Sequence, residues 1–380
     1  MIISGGYVLN DDLEFEQKDL FIDESTGLFS DVPAGGEFID ARGEALVPGF
    51  IDTHIHGAFG FDISDGNARD IVSMAKLLPK FGVMAFLPTT MTLSEDRIMK
   101  VFEAVSKAQE ILEAEKASCA KILGVRLEGP MLSSSHAGVQ SEKDLIFPDE
   151  GKELIRKVEE RFPGMLKMID IAPELEGAFD LIGELSDRYV ISLAHSSADY
   201  ETASEAFRKG ATSVTHLLNA MESCTKRSPG IPGAAFDSNA WCEVICDGLH
   251  IDPTVLRILG KVIPDERFII ISDSMRGAGM PDGNYLLGDV PVEVKNGRTY
   301  YGEFGNLAGS VTNMKDEVIN LIRFGVDSRK VLRGATVNPL MRLKGGKDLM
   351  MGSLSPGNKA FVNFFRRDMS SFLLCYNYMR

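Results

Sequence analysis

The sequence predicts an α/β protein, a (β/α)8 TIM barrel with a small β-sandwich domain formed from both termini. The prediction depends on three observations. Short β-like segments without a helical period occupy residues 1 to about 46, apolar segments then alternate with amphipathic helices, and β-like segments return after residue 340. Such alternation is typical of a parallel sheet that is covered by helices. A doubly wound open sheet is the alternative that the pattern leaves open.

The small β domain is expected to take its strands from the two ends of the chain. We expect residues 1–48 to form its N-terminal part, residues 49–340 to form the barrel, and residues 341–380 to form its C-terminal part. Turns rich in Gly, Asp and Pro separate the β-like pieces. We expect the tail to pair with the N-terminal strands. The pieces lie at residues 7–9, 19–22, 37–40, 352–354, 360–365 and 371–376.

The barrel segment contains eight predicted strands. They lie at residues 50–56, 83–89, 122–128, 165–171, 190–195, 213–216, 241–246 and 268–273. Helices are predicted at residues 69–81, 95–114, 151–161, 177–186, 200–209, 253–261, 312–324 and 328–335. Eight β/α units over about 290 residues fit a closed barrel, which typically needs about 250. Residues 285–301, with a hairpin-like turn at residues 295–298, are predicted to form a β excursion over the barrel mouth.

Composition limits the classes of partner and compartment. A formal charge of −15 argues against a general nucleic-acid or acidic-membrane surface, although a pocket can still be locally basic. No segment is long and apolar enough to span a bilayer, and Met1 to Gly6 lacks the features of a signal peptide. Five cysteines in no metal or redox spacing indicate reduced thiols. We therefore expect a cytoplasmic protein.

Polar residues that bind metals stand at the predicted strand ends. In a parallel barrel these ends meet at one rim, where such barrels carry their active sites. Each residue alone has an ordinary explanation, since strand-end polar groups often cap backbone or bind water. Four of only six histidines at strand ends nevertheless predict a metal site. The six candidate ligands are His54, His56, Glu128, His195, His216 and Asp273.

Imidazoles and carboxylates without thiolates suit Zn, Fe, Mn, Co or Ni rather than Ca or Mg. Glu128 has two carboxylate oxygens, so it could bridge one ion held with His195 and His216 and another held with His54 and His56. One or two ions therefore remain possible. A bound ion lowers the pKa of water to around 7 and polarises a carbonyl. Asp273 could act as general base and acid, as a metal ligand, or as both.

Loops at the same rim indicate a polar lip with local positive charge. Asn219, Arg227 and His250 follow predicted strands at this rim, as an anionic polar substrate would require. The alternative is an exposed Lys-Arg loop that binds nothing. Gly129-Pro130 begin a long loop that contains His136 and Gln140.

Together these motifs resemble the amidohydrolase superfamily and, within it, the N-acetylglucosamine-6-phosphate deacetylase family. The matching blocks run from about Val47 to Asn338 and include PGFIDTHIHG, LEGPML, LAHSSA, VTHLLNAM, CDGLHID and SDSMRGAGMPDG. The resemblance implies a barrel with a small β domain and Asp273 as general base and acid. It implies metal at Glu128, His195 and His216, with a second metal in members that keep His54 and His56, as this chain does. It also implies a homodimer and substrate contacts at Val139, Gln140, Asn219, Ala220, Arg227, Asp247, Gly248, Leu249, His250 and Leu307.

One departure concerns the substrate pocket. Family members usually carry Gly-Ala-His or Gly-Thr-His where this chain has Gly138-Val139-Gln140. Gln140 therefore takes the place of the histidine that contacts the sugar, unless His136 replaces it. The expected reaction is metal-dependent deacetylation of N-acetylglucosamine 6-phosphate, with zinc as the foremost metal. The alternatives are another N-acetylhexosamine phosphate, such as N-acetylgalactosamine 6-phosphate, and a non-catalytic barrel scaffold, which would be expected to lose ligands.

Overall fold

The structure is a computed structural model that describes residues 1–33, 35–302 and 306–379. The strands are β1 (Ile2–Leu9), β2 (Phe15–Asp23), β3 (Leu28–Ser30), β4 (Phe38–Asp40), β5 (Glu44–Pro48), β6 (Phe50–Ile55), β7 (Gly57–Ala58), β8 (Phe61–Asp62), β9 (Val83–Thr90), β10 (Lys121–Ile122), β11 (Val125–Leu127), β12 (Leu166–Ile171), β13 (Val190–Leu193), β14 (Ser213–Val214), β15 (Trp241–Ile245), β16 (Phe268–Ile271), β17 (Gly283–Leu287), β18 (Val290–Lys295), β19 (Arg298–Tyr300), β20 (Phe361–Arg366) and β21 (Phe372–Asn377). The α-helices are α1 (Ala68–Leu77), α2 (Glu95–Glu115), α3 (Pro148–Arg161), α4 (Ala178–Leu185), α5 (Tyr200–Lys209), α6 (Gly230–Phe236), α7 (Pro253–Val262), α8 (Met314–Arg323) and α9 (Ser328–Arg342).

The predicted parallel barrel is confirmed. Its strands pair in the order β6, β9, β11, β12, β13, β14, β15 and β16. The short strand β10 also pairs with β9, so β10 and β11 occupy the same place in the barrel. A parallel bridge between Ile55 and Ser274 joins the last strand to the first. The Asp273 amide donates to the His54 carbonyl at 3.0 Å there. Closure at this point brings the start and the end of the barrel segment together at the carboxyl rim.

The terminal sheet confirms that the tail rejoins the N-terminal strands. Its order is β21, β20, β5, β1, β2 and β3, with β4 paired to β1 as well. It has a hydrophobic cluster of its own, which includes Ile3, Leu20, Phe29 and Phe364. The domain boundaries at residues 48 and 340 stay a prediction. β5 ends at Pro48 and β6 begins at Phe50, which is consistent with the first boundary.

Several predicted bounds were wrong. Residues 352–354 form no strand, and residue Gly352 has φ +79°. Helix α9 runs to Arg342 instead of ending at residue 335, although Pro339 lies inside it. The helix continues because Leu340 and Arg342 are buried, and this packing outweighs the backbone hydrogen bond that proline removes. The short strands β3, β7 and β8 and helix α6 were not predicted, because they are too short for a periodic pattern.

The β excursion is confirmed as a three-stranded antiparallel sheet of β17, β18 and β19. Its second hairpin closes at Asn296 and Gly297, which both have positive φ, as a two-residue turn of this kind requires. Among the described residues, no helix combines the length and apolar character needed to cross a bilayer.

Candidate metal and substrate site

The six predicted ligands meet at the carboxyl rim of the barrel. His54 lies in β6, and the other five follow strand ends by one or two residues. They form two groups whose ligand atoms lie within 4.8 Å of one another, His54 with His56 and Asp273, and Glu128 with His195 and His216. We call these six residues the rim cluster. The strands end earlier than predicted, so His195, His216 and Asp273 belong to the turns that leave the barrel.

Those three residues have an unusual backbone. His195, His216 and Asp273 have φ of +44°, +31° and +47°, in the left-handed region that residues other than glycine seldom adopt. Strain of this kind persists only where the surrounding structure maintains it, and it concentrates at functional sites. Each residue stands two positions beyond its strand, so the same turn occurs at three places on the rim.

Glu128 lies at the centre of the rim cluster. Its Oε1 is 3.3, 3.3 and 3.1 Å from the Nε2 atoms of His54, His195 and His216, and its Oε2 is 3.1 Å from His56 Nε2. Asp273 Oδ1 is 3.3 Å from Nε2 of both His54 and His56. Tetrahedral ligands about 2.0–2.1 Å from a zinc ion lie about 3.3–3.4 Å from one another. The spacing of these atoms therefore fits a divalent metal.

Two backbone carbonyls determine which ring nitrogen of two imidazoles faces the rim cluster. His195 Nδ1 lies 2.9 Å from the His136 carbonyl, and His56 Nδ1 lies 3.2 Å from the Thr89 carbonyl. A carbonyl only accepts, so both Nδ1 atoms carry hydrogen and donate. In the neutral form, both of these imidazoles direct the Nε2 lone pair into the cluster. This is how metal-binding histidines are usually held.

The electrostatics of the rim cluster favour added positive charge. Burial and Arg126 oppose protonation of His54, but Asp273 and Glu128 outweigh them and raise its pKa to about 9. Burial is likewise outweighed at His56, where Glu128 and Asp273 raise the pKa to about 10. Burial alone would raise the pKa of Glu128, yet His54 and His56 hold it well below its usual range. Protons or a metal cation must therefore balance the two carboxylates.

A cavity of about 270 Å³ opens onto the rim cluster. Six of the predicted substrate residues line it: Val139, Gln140, Asn219, Ala220, His250 and Leu307. The lining also includes residues that the sequence reasoning missed: Met91, Gly138, Ile245, Leu287, Tyr301, Ala308 and Gly309. Met91 and Ile245 could have been found, because they lie at the carboxyl ends of barrel strands. Leu287 and Tyr301 come from the β excursion and gave no sequence signal.

The remaining predicted substrate residues do not line this cavity. Asp247 instead orients His250, since its Oδ2 accepts from His250 Nδ1 at 2.7 Å and its Oδ1 accepts from the backbone amides of Leu249 and His250. Burial opposes protonation of His250, but Asp247 outweighs it and raises the pKa. Gly248 forms the turn between them at φ +76°. Leu249 faces an adjacent groove, and Arg227 is exposed.

The substituted position Gln140 contacts a candidate metal ligand. Its Nε2 donates to Glu128 Oε2 at 2.7 Å, and its Oε1 accepts from the Thr92 amide at 2.6 Å. His136 does not take the place of the family histidine. Its carbonyl holds His195, while its ring lies next to Ser135 and, at 3.6 Å, Glu222.

A second group of buried charges lies in the barrel core and was not predicted. Arg126 donates to both oxygens of Asp170 and both oxygens of Glu243, and Arg342 donates to Glu243. All four side chains have no exposed surface. We call Arg126, Asp170, Glu243 and Arg342 the core ion cluster. Glu243 Oε2 is 3.7 Å from His54 Nδ1, so the two clusters are neighbours.

Known proteins with similar sequences and structures agree with this architecture. The model of the amidohydrolase family matches residues 45–371. An N-acetylglucosamine-6-phosphate deacetylase of Bacillus subtilis is 37% identical over 73% of this chain and 70% of its own length. An N-acetylgalactosamine-6-phosphate deacetylase of Escherichia coli O157:H7 is 32% identical over 84% of this chain and 83% of its own.

Solved structures give the same result at the level of the fold. The crystal structure of N-acetylglucosamine-6-phosphate deacetylase from Pasteurella multocida superposes with a TM-score of 0.88 at 26% identity, covering 99% of this chain and 98% of that one. The similarity extends over both the barrel and the terminal sheet. The chain belongs to the amidohydrolase family, in the group that contains the N-acetylglucosamine-6-phosphate deacetylases.

Proposed function

We propose that the protein is a metal-dependent hydrolase that converts N-acetylglucosamine 6-phosphate to glucosamine 6-phosphate and acetate, in amino-sugar catabolism. The observation that carries the proposal is the rim cluster, five of whose six residues line a cavity of sugar size at the catalytic end of the barrel. A relative of that activity at 37% identity supports the choice of substrate.

The proposed metal ligands are the two halves of the rim cluster. Glu128, His195 and His216 would hold one ion, and His54, His56 and Asp273 would hold a second, with Glu128 shared between them. A bound divalent ion, foremost zinc, would polarise the acetamide carbonyl and lower the pKa of water. Two ions are proposed because both groups have complete sets of ligand atoms.

Asp273 is the proposed general base and acid. Burial alone would raise its pKa, but His54 and His56 lower it, so the side chain is a carboxylate that can accept a proton. It has 8% of its surface exposed, and it lines the cavity. In the proposed reaction, Asp273 takes the proton of the attacking water and transfers it to the leaving nitrogen.

The residues that line the cavity would bind the sugar. They include Asn219, Ala220, His250 and Leu307. Arg227 lies seven residues beyond Ala220, on the loop that continues from the lining. We assign the phosphate to Arg227 and His250, because Arg227 is cationic and His250 becomes so on protonation. Binding energy from the phosphate would then orient the acetamide, which lies elsewhere on the sugar.

N-acetylgalactosamine 6-phosphate is a second candidate substrate. The E. coli relative of that activity matches 84% of this chain, and Gln140 replaces the histidine expected to contact the sugar. Steady-state kinetics on both phosphorylated sugars, with metal analysis of the same sample, decide between the two. We expect kcat/KM to be at least about tenfold higher for the gluco epimer, since a polar group matched to one hydroxyl discriminates strongly.

The kinetics also test the class of protein. Acetate release should disappear when the metal is removed by chelation and return when zinc is added. A metal-loaded sample that releases no acetate from either sugar would contradict the deacetylase proposal. A scaffold without catalytic function should purify without stoichiometric metal.

The Arg227→Ala variant tests the phosphate assignment. Loss of the guanidinium should raise KM for the phosphorylated sugar about tenfold and leave KM for the unphosphorylated sugar nearly unchanged. Lys226→Ala is the matched control, because it removes a neighbouring exposed cation from the same loop. Equal effects of Arg227→Ala on both sugars would place the phosphate elsewhere.

The proposal also covers compartment and assembly. We assign the enzyme to the cytoplasm, since all five cysteines are free thiols, and to a homodimer, because the family resemblance implies one. Light scattering on the purified protein measures the assembly directly, and a monomeric mass would remove the dimer from the proposal.

A further inference from the structure

Gln140 is placed to hold Glu128 in one orientation. Its side chain is 5% exposed and hydrogen-bonds at both ends, to the Thr92 amide at 2.6 Å and to Glu128 Oε2 at 2.7 Å. The Thr92 amide can only donate, so the atom that faces it is Oε1 and the atom that faces Glu128 is the Nε2 donor. The amide orientation is therefore fixed by the backbone of a different barrel loop.

This contact determines which oxygen of Glu128 faces which imidazoles. Oε2 receives the Gln140 hydrogen bond and faces His56, whereas Oε1 faces Nε2 of His54, His195 and His216 at 3.3, 3.3 and 3.1 Å. If the carboxylate rotated away, all three contacts of Oε1 would be lost together. The buried Gln140 hydrogen bond opposes that rotation.

The loop that carries Gln140 also holds a second ligand. The Ser133 amide donates to the His195 carbonyl at 2.9 Å, and the His136 carbonyl accepts from His195 Nδ1 at 2.9 Å. Residues 133–140 thus contact both Glu128 and His195. Groups that orient metal ligands typically contribute 10–100-fold to metal affinity.

We infer that Gln140 is a positioning residue that fixes Glu128 for metal binding, in addition to lining the substrate cavity. The inference depends on the metal binding proposed above and is independent of which sugar is deacetylated. It assigns the Gln140 amide a measurable effect on metal affinity in the absence of substrate.

The test compares Gln140→Leu with the wild-type protein. Leucine is similar in volume to glutamine but removes both hydrogen bonds. Protein freed of metal by chelation is titrated with zinc against a chromophoric chelator, and we expect a zinc Kd about 10–100-fold weaker in the variant. Gln109→Leu is the matched control, because Gln109 also donates one side-chain hydrogen bond, to the Ile122 carbonyl at 3.1 Å, but lies on α2. Its zinc Kd should be unchanged.

The readouts separate the possible roles of Gln140. A pure substrate contact would raise KM and leave the zinc Kd unchanged, which would overturn the inference. A merely structural role would lower the unfolding temperature of the metal-free protein without changing the zinc Kd of the folded protein, and would overturn it too. If the wild-type protein binds no zinc, the metal proposal and this inference both fail. If wild type and variant bind zinc equally, only this inference fails.

Discussion

The rim cluster and the core ion cluster are both buried groups of charged side chains inside the same barrel, but they are balanced differently. In the core ion cluster, two guanidinium groups meet two carboxylates and donate hydrogen bonds directly to them. Thr215 adds a further hydrogen bond, to Asp170 at 3.0 Å. The charges of this group cancel without any added ion.

The rim cluster has no such internal balance. Its two carboxylates face four imidazoles whose Nε2 atoms point toward one another, with 3.2 Å between His54 and His56 and 3.2 Å between His195 and His216. Neutral imidazoles leave the carboxylate charge uncompensated, and burial makes that costly. A buried cluster whose charges cancel internally stabilises the fold, whereas a buried cluster that needs an added cation is a binding site.

Asp273→Asn, in the rim cluster, should have the largest effect. Asparagine keeps the shape but cannot accept a proton, so kcat should fall by about 10² to 10⁴-fold. Metal analysis should still find the ion held by Glu128, His195 and His216, because those ligands are unchanged. Turnover equal to that of the wild type would remove Asp273 from the mechanism.

Asp170→Asn is the same substitution in the core ion cluster, and it should act on stability instead of turnover. It leaves Arg126 with one carboxylate fewer in a fully buried place, which typically costs about 3–5 kcal/mol. Guanidinium unfolding of the chelated protein measures the loss. At temperatures where the variant is folded, its kcat should stay far closer to wild type than that of Asp273→Asn. A large loss of kcat with unchanged stability would contradict the assignment of the core ion cluster to stability and of the rim cluster to catalysis.

Glu317→Gln should have the smallest effect, because Glu317 is a buried carboxyl that belongs to neither cluster. It accepts a hydrogen bond from the Cys246 amide, and burial and Asp247 raise its pKa well above the usual range. The native state therefore keeps a proton that the unfolded chain loses above about pH 4.5, so wild-type stability falls as pH rises. Glutamine has no proton to lose, and it should gain about 1–2 kcal/mol over wild type between pH 4.5 and pH 6. A pH-independent difference in unfolding free energy would show that Glu317 is ionised in the fold.

Particular residues show what could be predicted. His54, His56, Glu128, His195 and His216 could be found because strand-end positions of a parallel barrel share one rim. Gln140 was identified as a substitution, but its contact with Glu128 depends on the Thr92 amide, 48 residues away in the chain. Arg227 was expected at the rim from its place on a loop and from the family resemblance; its side chain is exposed, and its contact with the phosphate stays a prediction.

The core ion cluster shows why some of the structure could not be predicted. Arg126 and Arg342 lie 216 positions apart, and each looks like an ordinary charged residue in its own segment. Only barrel closure and the continuation of α9 past Pro339 place both guanidinium groups on Glu243.

The sequence by itself determined the order of strands and helices, the polar residues at each strand end and the family, because periodicity and motif spacing are local properties of the chain. The tertiary structure alone decided which oxygen of Glu128 faces which imidazole, which loop holds it, and which buried charges balance one another. Those features depend on hydrogen bonds and charges between distant segments, and such contacts have no local pattern.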